Sequence, residues 1–183
     1  MAKWTFEPGH TAAEFCVRHM MVTWVRGHLK NIHGSIEFDP ENPGNSSVDV
    51  SINTGELWSG DAARDGSLRG SDFLDVEKYP TITFKGNETE LIGKNEFRVT
   101  GDLVIRGVAQ RATLEVNYLG QWETPFWVDG KDKGPKTRAG FVAKTTIDRN
   151  DFGMTWNGEM EKGGVVVGKD VLITIDVEAL RED

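Results

Sequence analysis

Ala13-Glu14-Phe15-Cys16-Val17-Arg18-His19 is the stretch whose reading decides the fold. Successive side chains of an extended strand point to opposite sides, so Ala13, Phe15, Val17 and His19 share one face while Glu14, Cys16 and Arg18 share the other. The same period of two recurs outward from here. Val48, Val50 and Ile52 oppose Asp49, Ser51 and Asn53, and Ile82 and Phe84 continue the pattern. Phe97, Val99, Gly101, Leu103 and Ile105 make a longer face, followed by Leu114, Val116 and Tyr118. Phe141, Ala143, Thr145 and Ile147, then Val171, Ile173, Ile175 and Val177, complete the series. Turn-forming clusters such as Asp129-Gly130-Lys131-Asp132-Lys133-Gly134-Pro135 separate these segments. The expectation is an all-β chain of about eight antiparallel strands. A sandwich and a closed barrel would both bury such faces. Closure also removes the exposed edges that invite aggregation, which favours the barrel. A barrel of that size has an interior just wide enough for side chains or for one small ligand.

Residues 59–76 alone depart from alternation. Asp61, Arg64, Asp65, Leu68 and Asp72 recur at steps of three and four, the spacing of a helix. Gly66 and Gly70 each cost about 1 kcal/mol relative to Ala, so a short or interrupted helix is expected, with Ser59 as its N-terminal cap. Such a helix is left to plug or border one end of the barrel.

At 183 residues the chain reads as one domain, 1–183, large enough for a sizeable core. The formal net charge of -8 argues against a nucleic-acid partner, whose phosphates demand a basic face, and against attraction to an anionic membrane. No run approaches the ~20 apolar residues of an integral membrane segment. The opening Met1-Ala2-Lys3-Trp4-Thr5-Phe6 has no signal-peptide apolar region, so a cytoplasmic location is expected. A chain trimmed of its leader and restarted with Met would read the same, and would be periplasmic. The single cysteine, Cys16, cannot form an internal disulfide and reads as a small strand residue rather than a nucleophile.

The four histidines do not assemble a metal set. No cysteine cluster or helical histidine pair accompanies His28 and His33, so no metal is expected. His19 differs, because on the inward face it would need a polar partner or a ligand group. Arg64-Asp65 is a second candidate: a planar guanidinium suits phosphate and carbonyl heads, whereas the plainer reading is a helix face bridging to a strand. Asp151-Phe152-Gly153 copies the kinase magnesium triplet without the phosphate loop that gives it meaning. No Ser-His-Asp or Cys-His arrangement stands out, and an enzyme is not expected. Six Trp, nine Phe and five Met suffice either to line an apolar pocket or to fill a core.

Ordered motifs add a resemblance. They are Trp4-x-x-x-Pro8-x-His10, Phe15-x-Val17-x-His19 and Val25-x-Gly27, then Arg64-Asp65-x-x-Leu68-Arg69, Asp72-Phe73 and Tyr79-Pro80-x-Ile82-x-Phe84. Gly101-x-Leu103-x-Ile105-Arg106-Gly107 and Ile147-Asp148-Arg149-x-Asp151-Phe152-Gly153-Met154 follow. In this order, from about Trp4 to Glu178, the chain resembles the YceI-like family. The resemblance implies an extended lipocalin-like barrel with a long hydrophobic tunnel. In it a polyprenyl phosphate or isoprenoid quinone is held tail inward and head near the mouth, for carriage, storage or sensing. It implies no required cofactor apart from that bound lipid, and a homodimer as the assembly. Two positions depart from the family's habit: Ser67 stands where His is frequent, and Glu7 where Asp is frequent.

Under this reading the tunnel-lining residues are Phe15, Val17, Leu68, Phe73, Phe84, Leu103, Ile105, Phe141, Phe152, Met154, Ile173 and Ile175. The head-group end is assigned to His19, Arg64, Asp65, Arg106 and Arg149. An enzyme acting on a small or lipidic substrate in the barrel, and a packed interaction module without ligand, are the two alternatives.

Overall fold

The apolar rows all turn to the same side, and the sheet they form closes on itself. The computed structural model describes residues 1–39 and 41–182. The strands are β1 (Ala2–Phe6), β2 (Ala12–His19), β3 (Thr23–Leu29), β4 (Ile32–Phe38), β5 (Ser47–Asn53) and β6 (Thr81–Gly93). They continue with β7 (Glu96–Ile105), β8 (Val108–Thr124), the short pair β9 (Trp127–Val128) and β10 (Lys131–Asp132), β11 (Lys136–Asp148) and β12 (Val167–Arg181). The main sheet runs β1-β4-β5-β6-β7-β8-β11-β12-β2-β3, and β1 also pairs with β12.

Those pairings describe an eight-stave antiparallel barrel in which two staves are broken. The C-terminal part of β12 pairs with β1 (Phe6↔Ala179), while its earlier part pairs with β2 (Ala13↔Ile175). β1 and β2 are thus successive halves of one stave, interrupted at Pro8, whose ring removes a ladder donor. β3 and β4 divide in the same way, β3 against β2 and β4 against β1. Register carries the inward rows from strand to strand: Val50 lies opposite Phe84 and Phe84 opposite Leu103. Phe15 likewise lies opposite Ile173, and Ile173 opposite Thr145. Gly101 marks the tightest approach, since a Cβ there would fall 2.0 Å from the Lys85 carbonyl oxygen. It sits where the β6–β7 register shifts, between Gly86 and Glu88.

β5 pairs with β4 and not with β3, and residues 54–80 cover the resulting opening. His28 and Trp58 exchange backbone hydrogen bonds of 2.8 and 3.0 Å, tying this segment to β3. Its one helix, α1 (Ala62–Arg69), is short, as the glycines require, and ends at Gly70. Asp61, not Ser59, is the N-cap: its side chain accepts from the Arg64 amide at 2.9 Å. Ser59 lies two residues too early for that bond and is held by Asp65 instead.

Candidate functional site

The barrel is hollow. The larger of two internal chambers offers about 170 Å³ to the centre of a water molecule and is walled by inward residues of every stave. The second offers about 80 Å³ and lies farther along the same axis. Val50, Phe84, Leu114 and Ile175 face both, so they form the partition between chambers in series. Almost no polar atom surfaces in either space. A fully packed interior, one of the sequence alternatives, is therefore not what the chain builds.

The two ends differ. The second chamber stops at an aromatic stack in which Phe38 meets the Phe97 and Phe141 rings edge-on, with centroids 5.8 and 5.4 Å apart. Tyr118 completes it 5.0 Å from Phe38, and burial raises its hydroxyl above the ordinary tyrosine range. The first chamber is closed by covers that do not belong to the sheet: Leu68 of α1, Phe73 and Leu74 after it, and Met154. Loops and one short helix are easier to displace than a hydrogen-bonded stave, so this is the end through which a ligand would enter.

Arg149 organises that end. Only 3% of it is exposed, and it forms part of the first chamber's wall. Its Nε donates to the Gly168 carbonyl at 2.8 Å, Nη1 to those of Met154 and Trp156 at 2.6 and 2.8 Å, and Nη2 to that of Val167 at 3.1 Å. A guanidinium has five N–H donors, so one Nη2 hydrogen is left over. Burial pulls its pKa below the ordinary arginine value, and neighbouring Asp148 partly opposes this. The charge is tolerated because carbonyl dipoles replace water around it.

Of the tunnel assignments, Phe15, Val17, Leu68, Phe73, Phe84, Leu103, Ile105, Met154, Ile173 and Ile175 line the first chamber, and Phe141 lines the second. Phe152 does not. It is 1% exposed and packs within the core beneath the turn it belongs to, walling neither chamber. Of the five polar assignments, Arg149 alone reaches a chamber wall. Arg64 gives Nε to Ser59 Oγ and Nη2 to the Ser59 carbonyl at 2.8 and 2.9 Å, while buried Asp65 accepts from the Ser59 amide at 2.9 Å. The pair thus clasps the loop in front of α1 and neither bridges to a strand nor faces a chamber. Arg106 donates to the Gly153 carbonyl at 2.8 Å, and His19 sits at the end of β2 opposite Thr23 and the wall residue Val167 without itself lining a chamber.

Several wall residues went unassigned in the sequence. Val50, Ile52, Ile82, Leu114, Ile147 and Val171 lie on the rows that alternation had already marked, so the signal that finds them is the one that found Phe84. Leu74 comes from the segment without alternation and Leu57 from the turn that follows β5, and neither carries such a signal.

Known proteins place this architecture. A UPF0312 protein of Pseudomonas paraeruginosa is 34% identical over 176 residues, which span 96% of this chain and 84% of the relative. The crystal structure of Burkholderia cenocepacia BcnA superposes with a TM-score of 0.79 at 21% identity, over 94% of this chain and 98% of that one. A polyisoprenoid-binding domain of Saccharophagus degradans shares the fold at a TM-score of 0.65 and 13% identity, over 98% of each chain. The model of the YceI-like domain matches residues 4–179, and with nearly every residue of the barrel inside that match, this chain belongs to the YceI-like family.

Proposed function

We propose that this protein binds an isoprenoid lipid, a polyprenyl phosphate or an isoprenoid quinone, and acts by holding it rather than by transforming it. The observation that carries the reading is the pair of apolar chambers in series inside a closed barrel. A space with almost no polar surface has nothing to offer a compact polar substrate, whereas each CH₂ moved into it from water contributes about 0.8 kcal/mol. Two chambers in line suit a chain that is long and narrow. Family membership and the polyisoprenoid-binding domain from Saccharophagus degradans, which shares the fold, point to the same ligand class.

The head group belongs at the α1 end. A phosphate or quinone oxygen within the chambers would lose its hydration without gaining partners, at a cost of several kcal/mol. At the α1 end lies Arg149, the one polar side chain of the head-group set that reaches the wall. The test is organic extraction of the natively purified protein followed by mass spectrometry. A prenyl lipid in stoichiometric amount is expected. An extract free of prenyl lipid, together with no uptake of added quinone or polyprenyl phosphate, would overturn the reading.

A further inference from the structure

Four connections lie at the α1 end of the barrel: residues 20–22, 54–80, 106–107 and 149–166. The first and the last touch. The Met20 amide donates to the Val166 carbonyl at 2.8 Å, and Gly164 lies against both Met21 and Met160. Along this edge the fold leaves Met20, Met21, Val22, Trp24, Trp156 and Met160 in water, with Val22 80% and Met21 56% exposed. An exposed apolar group of this size marks an interaction site rather than incidental surface.

The patch is continuous with the covered end of the first chamber. The Trp156 ring packs 5.9 Å from that of Phe73, one of the chamber's covers, and the Trp156 carbonyl is held by Arg149. Val167, a wall residue, pairs with His19, the neighbour of Met20. The same loops therefore both cover the chamber and present the apolar edge.

The geometry points to this rim as a membrane-docking surface, seated on a bilayer whose lipids carry no net charge. The inference rests on the lipid-binding reading: an isoprenoid tail is insoluble, and a rim immersed among acyl chains lets it pass into the barrel without crossing water. Residues 20–22 carry no charge, and Trp156 and Trp24 have the amphipathic rings that settle at a bilayer interface. Electrostatics sets the lipid class. Residues 54–80, beside the rim, hold six acidic side chains against three basic ones, and the whole chain has a net charge of -8. An anionic surface repels that arrangement, so apolar insertion is the attractive force.

Flotation of the full chain with phosphatidylcholine vesicles tests this. The protein is expected to float with them, to float less when phosphatidylglycerol is mixed in at low salt, and to recover as salt screens the repulsion. The Met21→Glu/Val22→Glu double variant changes two exposed tip residues outside the chamber walls, so its melting temperature and its uptake of quinone from detergent solution should match the parent. Its flotation should fall by about tenfold or more. Trp127→Glu alters an equally exposed ring in β9, on the connection between β8 and β11 at the opposite end, and should float as the parent does. Docking is overturned if the parent stays at the bottom of the gradient. It is also overturned if the double variant floats undiminished, as it would with a protein-binding rim, or if Trp127→Glu alone abolishes flotation. Extraction reports separately on the chambers. A loaded barrel that never floats refutes docking alone, and an empty barrel that floats through residues 20–22 refutes the ligand while the docking surface stands.

Discussion

Sealing the partition between the chambers should shorten the ligand that the barrel accepts. Val50→Phe adds a ring to the partition formed by Val50, Phe84, Leu114 and Ile175, which a long tail must part to reach the second chamber. The far chamber is walled from Ile175 to Val177 on β12 and from Phe141 to Ala143 on β11. Two residue steps at about 3.3 Å each give about 7 Å of strand, room for roughly one five-carbon isoprene unit. At about 0.8 kcal/mol per buried carbon that unit contributes about 4 kcal/mol. Ordering it leaves a net of about 2–3 kcal/mol, a factor of about 30 to 150 in affinity. The larger side chain enters vacant space, so its cost to stability should sit at the low end of the 1–3 kcal/mol typical of overpacking. Competition titrations with isoprenoid quinones of graded tail length would measure the effect. Quinones too short to pass the partition should bind the variant and the parent alike, and only longer ones should lose the stated factor. Leu114→Phe, from another stave of the same partition, should reproduce the pattern. Equal weakening at every length, or none at the longest, would refute chambers in series.

Replacing Arg149 with Met removes a buried charge held by four carbonyls and leaves those carbonyls without their donor; a loss of about 3 kcal/mol in urea unfolding is expected, and a loss under about 1 would mean that water takes its place. Asp61 and Asp148 are held below the usual carboxylate range chiefly by the Arg64 and Asn150 amides that point at them. A depressed folded pKa means that the stabilisation is complete above the unfolded value near 3.9 and is lost as the pH falls through the lower folded values. Protection of the Arg64 and Asn150 amides against hydrogen exchange, taken relative to their intrinsic rates, should accordingly fall in acid before that of the barrel strands, and simultaneous loss across the chain would contradict this. Removing a bound lipid empties chambers of about 170 and 80 Å³. At about 24 cal/mol per Å³ relative to a filled interior, delipidated protein should lose up to about 6 kcal/mol and melt several degrees lower; identical melting curves would mean that nothing had occupied the space.

The barrel was legible because one face of each strand is buried, which writes a period of two into the sequence wherever a stave runs. Strand parity turns Phe84, Leu103 and Ile175 to the interior, and it turns Val50 and Leu114 the same way. Phe152 escaped the rule because it lies in the turn after β11, where no strand parity applies. The polar end was harder to read for a different reason. Residue type shows that Arg64 can donate several hydrogen bonds but not to which atoms, and the Ser59 carbonyl and hydroxyl that receive them belong to a loop without periodicity. Arg149 and Arg106 looked alike in sequence. They are separated by what surrounds them: four carbonyls and a chamber wall around the first, one carbonyl and a half-exposed surface around the second. Asp61 displaced Ser59 as the cap because an N-cap side chain must lie within reach of the amide three residues on, and only the start of α1 fixes which residue that is.

An interior lined by Phe, Leu, Ile and Val could have been filled by enlarging a few residues, and filling it would have been worth about as much as the whole net stability of many domains. The staves keep the space open by setting the single ring of Phe84 among mid-sized aliphatic side chains at the partition, Val50, Leu114 and Ile175, instead of letting several rings meet across it as they do around Phe38. The closed end shows that this sequence can pack an interior, so the hollow is not a failure of packing. The missing contacts lie along one axis, behind covers tied to β3 through Trp58 and not by a full strand ladder, and an apolar chain entering from the α1 end would restore them.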